Sequence, residues 1–179
     1  MEFLAAVIYR VKQFFQALGA RICPGQIVIP NGYLSQEQQA LFGRMSPADQ
    51  LHSLKVFHTL REQGYHEADL LVAALLHDIG KAIGPLPLLH RVAIVLFRDG
   101  RWERLASPDP HSWRYPFFVY QQHAVAGARL AQAAGCSPLT VELIRGHHRP
   151  PHQCSNDLSR YYVIEEELLI ALWEADEAN

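Results

Sequence analysis

Apolar residues recur at three- and four-residue steps along most of this chain, the spacing of helices that bury one face. Near the start, Phe3, Leu4, Val7, Ile8, Val11, Phe14, Phe15 and Leu18 form one such stripe, and Gly19 closes it. Residues 20–34 carry two prolines and two glycines and read as an irregular connection. Ser35 with Gln38 forms the pattern of a capping box and opens a short helix to about Gly43. Ser46, Pro47 and Asp49 then supply a cap, a first-turn proline and an early carboxylate for a helix reaching Gly64. Residues 67–77 are apolar almost all round, through Leu70, Leu71, Val72, Leu75 and Leu76, which predicts a central, buried helix.

The second half continues the pattern. Residues 86–97 predict another apolar helix, following Pro85 and Pro87. Residues 98–116 hold four arginines, two tryptophans and three prolines, the composition of a short helix and a loop. A long helix is expected from Phe117 to Ala134, ended by Gly135, and Ser137-Pro138 caps a shorter one ending near His147. Arg149-Pro150-Pro151 forbids helical continuation, because proline lacks an N–H and restricts the residue before it. A last helix is expected over residues 158–176. No period-two strand pattern and no internal repeat competes with these elements, so the expected fold is an all-α, single-domain helical bundle. Residues 1–45 are expected to pack on the core as an N-terminal amphipathic helix and its connection, with residues 46–179 forming the helical domain proper.

Composition narrows the function. A net charge of -2 over 179 residues argues against a nucleic-acid polymer as partner, since that footprint shows as a basic excess. Cys23, Cys136 and Cys154 lie far apart with no CxxC, which suits a reducing compartment and small buried side chains, and excludes a disulfide framework. No apolar run has the length of a membrane span. The first 18 residues differ from a signal peptide, because Glu2 stands in place of a basic start and Arg10 and Lys12 interrupt the apolar run. The expected location is cytoplasmic. The N-terminal stripe is open to two readings, packing on the chain's own core or a membrane-surface or homodimer contact.

The ten histidines are the abnormal figure. Leu75-Leu76-His77-Asp78-Ile79-Gly80-Lys81 sets a His-Asp pair at the end of the most apolar helix. A buried, ionised carboxylate costs several kcal/mol unless a cation lies beside it, so Asp78 requires a partner. Lys81 is one candidate and a metal ion is another. Adjacent helical residues point about 100° apart, and an unwinding at Gly80 would let both side chains face one point. His52 lies on the preceding helix, where Lys55, Val56 and Thr59 share its face and leave its direction open. His123 stands on the long helix, His147 and His148 end the next, and Asp176 falls in the last. Ligand candidates on separate helices are how bundle proteins build interior metal sites.

In this order of residues, with LLHDIGK as its most specific part, the chain resembles the HD-domain superfamily of metal-dependent phosphohydrolases over about residues 46–179. The resemblance implies that His52, His77, Asp78 and Asp176 form a basic metal site. It implies that His123 and His147 add the ligands of a dinuclear site with Asp78 as bridge. His148 matches the second histidine of the HD-GYP phosphodiesterases, but Arg149-Pro150-Pro151-His152 replaces the Glu-and-GYP sequence that follows it there, and Ala48 replaces a glutamate sometimes present. A cyclic-dinucleotide substrate is therefore not implied. The expected cofactor is one or two divalent ions, with iron, manganese and zinc all suited to imidazole and carboxylate ligands.

The reaction expected on this basis is hydrolysis of a small phosphorylated substrate, a phosphate ester or nucleotide, by metal-activated water. Lys81 would neutralise charge on the phosphoryl group, and His148, or His123 if it is not a ligand, would protonate the leaving alcohol. A di-iron oxygenase of the same superfamily and a metal-stabilised binding module are the alternatives. Arg98, Arg101, Arg104 and Arg114 with Trp102 and Trp113 read either as a lid over an anionic substrate or as a charged surface loop. Arg145, Arg149 and His152 flank the double histidine as loop residues or as holders of an anion. His58, His66, His90, His111 and His152 are read as ordinary histidines.

Overall fold

Capping chemistry and apolar periodicity set the helix positions in the computed structural model, which describes residues 27–96, 101–148 and 160–179. In chain order the α-helices are α1 (Gln36–Phe42), α2 (Pro47–Glu62), α3 (Ala68–Leu76), α4 (Leu88–Leu96), α5 (Tyr115–Ala133), α6 (Pro138–Gly146) and α7 (Arg160–Ala178). Two 3-10 segments, Ile79–Ile83 and Arg101–Leu105, complete them, and no strand occurs among the described residues. The fold is all-α, as the sequence pattern requires. The expected N-terminal helix, with Cys23, lies outside the described residues, as do Arg98, Arg149, His152 and Cys154.

The caps operate as read. Ser35 and Gln38 bond reciprocally at the start of α1, and the hydroxyls of Ser46 and Ser137 accept the backbone N–H groups of Asp49 and Thr140. Each such cap contributes about 1 kcal/mol. Asp69 accepts bonds from the hydroxyls of both Ser137 and Thr140, tying the starts of α3 and α6 together. Gly135 ends α5 with φ +74°, a left-handed conformation that glycine alone adopts freely.

Helix α3 is the centre of the molecule. Leu70, Leu71, Ala73, Ala74, Leu75 and Leu76 are all fully buried, and α2, α6 and α7 pack around them. Each buried leucine stabilises the fold by about 2 kcal/mol. Val56, Leu60, Ile144, Leu172 and Ala175 face the same core. The long helix α5 lies against α6 and against the 3-10 turn that follows α3. Helix α5 starts two residues earlier than expected, with Pro116 inside its first turn, where a missing N–H is harmless.

Candidate metal centre

Helix α3 stops at Leu76, within one residue of the expected end, and His77 caps it. His77 and Asp78 form a turn, with Asp78 at φ -92°, ψ 1°, and Ile79–Ile83 continue as a 3-10 helix. Gly80 sits inside that helix and does not terminate α3. A Cβ at Gly80 would overlap the His123 carbonyl and press on the Gly127 backbone of α5. Only glycine permits this approach, which carries Asp78 onto the side of α5 that bears His123.

The turn, α2, α5, α6 and α7 then converge. His52 Nε2 lies 2.7 Å from Asp176 Oδ1, and His77 Nε2 lies 3.5 Å from that oxygen. Asp78 faces in two directions. Its Oδ2 is 3.6 Å from His77 Nε2 and 2.5 Å from Lys81 Nζ, while its Oδ1 is 3.5 Å from His123 Nε2 and 4.0 Å from His147 Nε2. His148 Nε2 meets His123 Nε2 at 2.7 Å. Two groups, His52/His77/Asp78 and His123/His147/His148, each present donor atoms within 4.8 Å of one another. All seven side chains of the expected site, and Lys81, therefore meet in one place.

Three of the histidines are oriented by the same device. His77 Nδ1 bonds the Ala74 carbonyl at 2.9 Å, His147 Nδ1 bonds the Ile144 carbonyl at 2.7 Å, and His123 Nδ1 bonds the Tyr120 carbonyl. A carbonyl only accepts, so each Nδ1 carries a proton and each ring turns its Nε2 inward, as a lone pair wherever the ring is neutral. A backbone carbonyl behind the imidazole is the usual means of fixing a ligand's tautomer. With His123 so fixed, His148 is the donor in their mutual contact.

The electrostatics divide the site. Burial opposes the charge of His77, but the carboxylates of Asp78 and Asp176 outweigh it and raise its pKa to about 9. Burial, followed by Lys81 and His148 for His123, and by the neighbouring imidazoles for His147, lowers both to about 3. His148 falls to about 3 through burial, His147 and Lys81. Despite burial, Asp78 is held well below the usual carboxylate range by Lys81 and the histidines, and Asp176 by His52 and His77. The site thus presents ionised carboxylates and the neutral imidazoles of His123, His147 and His148, the protonation states that cations bind, while His77 must give up its Nε2 proton to an ion.

Other expected residues lie elsewhere. His58, His66 and His111 are on the surface. His90 bonds the Trp113 carbonyl at 2.8 Å and packs on Phe117. Arg145 pairs with Glu142 one turn back on α6. Arg114 donates to the carbonyls of Arg104 and Leu105, so its guanidinium tethers the second 3-10 segment to α5 and is not held ready for a substrate. Trp102 packs edge-on against Tyr120, whereas Trp113 is 66% exposed. Cys136 is a half-buried free thiol.

Two features were not singled out from sequence. Tyr120 presents its ring to His123, His148 and the Lys81 ammonium as well as its carbonyl to His123. Its position three residues before His123, on the same helical face, is the signal that would have found it. Arg91 of α4 forms a two-pronged bond to Asp49 of α2, at 2.7 and 2.8 Å. No local signal links residues 42 apart in the chain.

Comparison with known families gives one match. A family model described as HD domain matches residues 51–171, more than half of the chain. The chain belongs to the HD domain family. HD domains are generally metal-dependent phosphohydrolases, and they bind divalent metals. No curated protein and no solved structure matches the chain. Among the described residues, no helix is long and apolar enough to cross a membrane.

The donor set fits the ions that HD domains bind. His77 Nε2 and His147 Nε2 are sealed from solvent and have no hydrogen-bond partner among the described residues. Leaving such a nitrogen unsatisfied costs about 1–3 kcal/mol. Both face Asp78, where a cation would satisfy them together.

Proposed function

We propose that this HD domain protein is a phosphohydrolase that cleaves a phosphate ester or nucleotide with metal-activated water. His52, His77, Asp78 and Asp176 would hold one divalent ion, and His123 and His147 would share Asp78 with a second. The observation that carries this reading is the pair of buried, unpartnered Nε2 atoms of His77 and His147 turned toward one ionised carboxylate. When bound, such ions polarise a phosphoryl oxygen and bring the pKa of a coordinated water to about 7.

The chain's own groups supply the rest. The Lys81 ammonium, raised in pKa by Asp78 against burial, stays charged throughout the ordinary pH range and stands where negative charge develops on the phosphoryl oxygens. His148 is the cluster residue that reaches the surface, with its ring turned inward onto His123 and Tyr120, and it is the proposed proton donor to the leaving alcohol. Its pKa of about 3 reflects burial and nearby positive charge, and an anionic phosphoryl group beside it opposes both. Tyr120 holds His123 from behind and covers His148 from the side.

The test is phosphate release from a broad phosphoester and nucleotide panel by protein loaded with iron or manganese. Hydrolysis of at least one member, lost in Asp78→Asn, is expected. If every member survives, the reading fails, and substrate-dependent oxygen uptake with a mixed-valent iron signal would assign the same donors to an oxygenase.

A further inference from the structure

Arg91 has no part in the site as the sequence presents it, yet its bonds bring it to the edge of that site. Its guanidinium takes both oxygens of Asp49, and its Nε donates to the Leu86 carbonyl at 3.2 Å. Asp49 is 5% exposed, and it precedes His52 by three residues on α2, so the two share a face about 5–6 Å apart. The Asp49 hydrogen bond and charge keep Arg91 ionised against burial. Asp49 thus holds the Arg91 guanidinium one helical turn from His52, and Asp78 holds the Lys81 ammonium inside the same cluster.

Neither cation is used up. A guanidinium has five N–H groups, and among the described residues only three of Arg91's are engaged. An ammonium has three, and Lys81 gives one to Asp78. The side chains keep 20% and 15% of their surface exposed, enough to meet a ligand, while Asp49 and Asp78 fix where each cation stands. Two ionised groups with spare, directed donors match an anion with several terminal oxygens and more than one charge.

We propose that Arg91, with Lys81, grips the terminal oxygens of a phosphoryl dianion, which makes the substrate a phosphate monoester and not a diester. This rests on the phosphohydrolase reading and adds the substrate class to it. A diester carries one charge and two terminal oxygens, and it leaves guanidinium donors without partners in a partly dehydrated place. Sites built to bond a group discriminate strongly against ligands that lack it, for that reason.

The experiment uses the full, metal-loaded chain and Arg91→Gln, with Arg91→Lys as the variant that keeps the charge and loses the fork. Inorganic phosphate binding is measured by calorimetry, and KM and kcat are measured for p-nitrophenyl phosphate and bis(p-nitrophenyl) phosphate. Arg91→Gln should weaken phosphate binding and raise the monoester KM about tenfold or more, with unchanged metal content, and Arg91→Lys should fall between. Wild-type protein should prefer the monoester. A lower melting temperature with unchanged phosphate affinity and KM would show that Arg91 merely clamps α4 to α2, and would overturn the proposal. A diester preference, or no phosphate binding by wild-type protein, would overturn it as well. Arg91-dependent phosphate binding without hydrolysis of any ester would sink the phosphohydrolase reading and leave the anion site standing.

Discussion

The carbonyl of His123 fills the space that a side chain on Gly80 would need. That contact sets the distance between the His77-Asp78 turn and α5, and through it the 3.5 Å between Asp78 and His123. Neither partner can yield, because both are backbone. Gly80→Ala should therefore cost about 1–3 kcal/mol or more and lower the metal content of the purified protein. Gly43→Ala is the control, since a Cβ there meets only ordinary contacts at 3.5 Å and φ is -62°. Thermal denaturation and metal analysis of both variants check the contrast.

Metal-free stability should depend on pH from both sides. His123, His147 and His148 have folded pKa values lowered to about 3, against about 6.5 in an unfolded chain. Their contribution is present above pH 6.5 and lost as pH falls from there toward 3. His77 has the opposite sign. Raised to about 9, it contributes fully below about pH 6.5 and loses that contribution as pH rises through 9. Urea denaturation in chelator from pH 4 to 10 should give a maximum between these limits, and a flat profile would contradict these assignments.

Metal affinity should follow the same proton on His77. A cation on Nε2 must displace it, so affinity should rise about tenfold per pH unit from 7 to 9 and then level off. Titration with manganese across that range, read by calorimetry or by the shift in melting temperature, checks the slope. A pH-independent affinity would place the ion away from His77.

Asp78→Asn should separate the site from the fold. It leaves the Lys81 ammonium without its partner and removes the charge that both donor groups face, at about 3–5 kcal/mol if the site were fully buried and less here, where Lys81 is partly exposed. The variant should bind no metal, and added manganese should not raise its melting temperature. Ser137→Ala, which removes a cap and a bond to Asp69, should cost about 1 kcal/mol and leave metal content intact.

The helices were legible because their signals are short-range. Ser35 and Gln38, Ser46 and Pro47, and Ser137 and Pro138 each announce a helix within four residues, and α3 announces its burial by its own apolarity. The candidate metal centre was legible as a set of residue types spread over separate elements, and those side chains lie together in the structure. Its geometry was not. That the His77-Asp78 turn lies so close to α5 depends on Gly80 meeting the His123 carbonyl, and that His77, His123 and His147 direct Nε2 inward depends on backbone carbonyls behind them. Arg91 and Asp49 find each other only after α4 has folded back on α2, a contact for which periodicity has no sign.

The central claim is that these imidazoles and carboxylates bind cations, and elemental analysis with stoichiometry tests it most directly. Protein purified without chelator, or reconstituted anaerobically with iron or manganese, should hold one to two equivalents of transition metal per chain, with Asp78→Asn holding none. Wild-type protein that stays metal-free after reconstitution, with a melting temperature unmoved by any of these ions, would contradict the account.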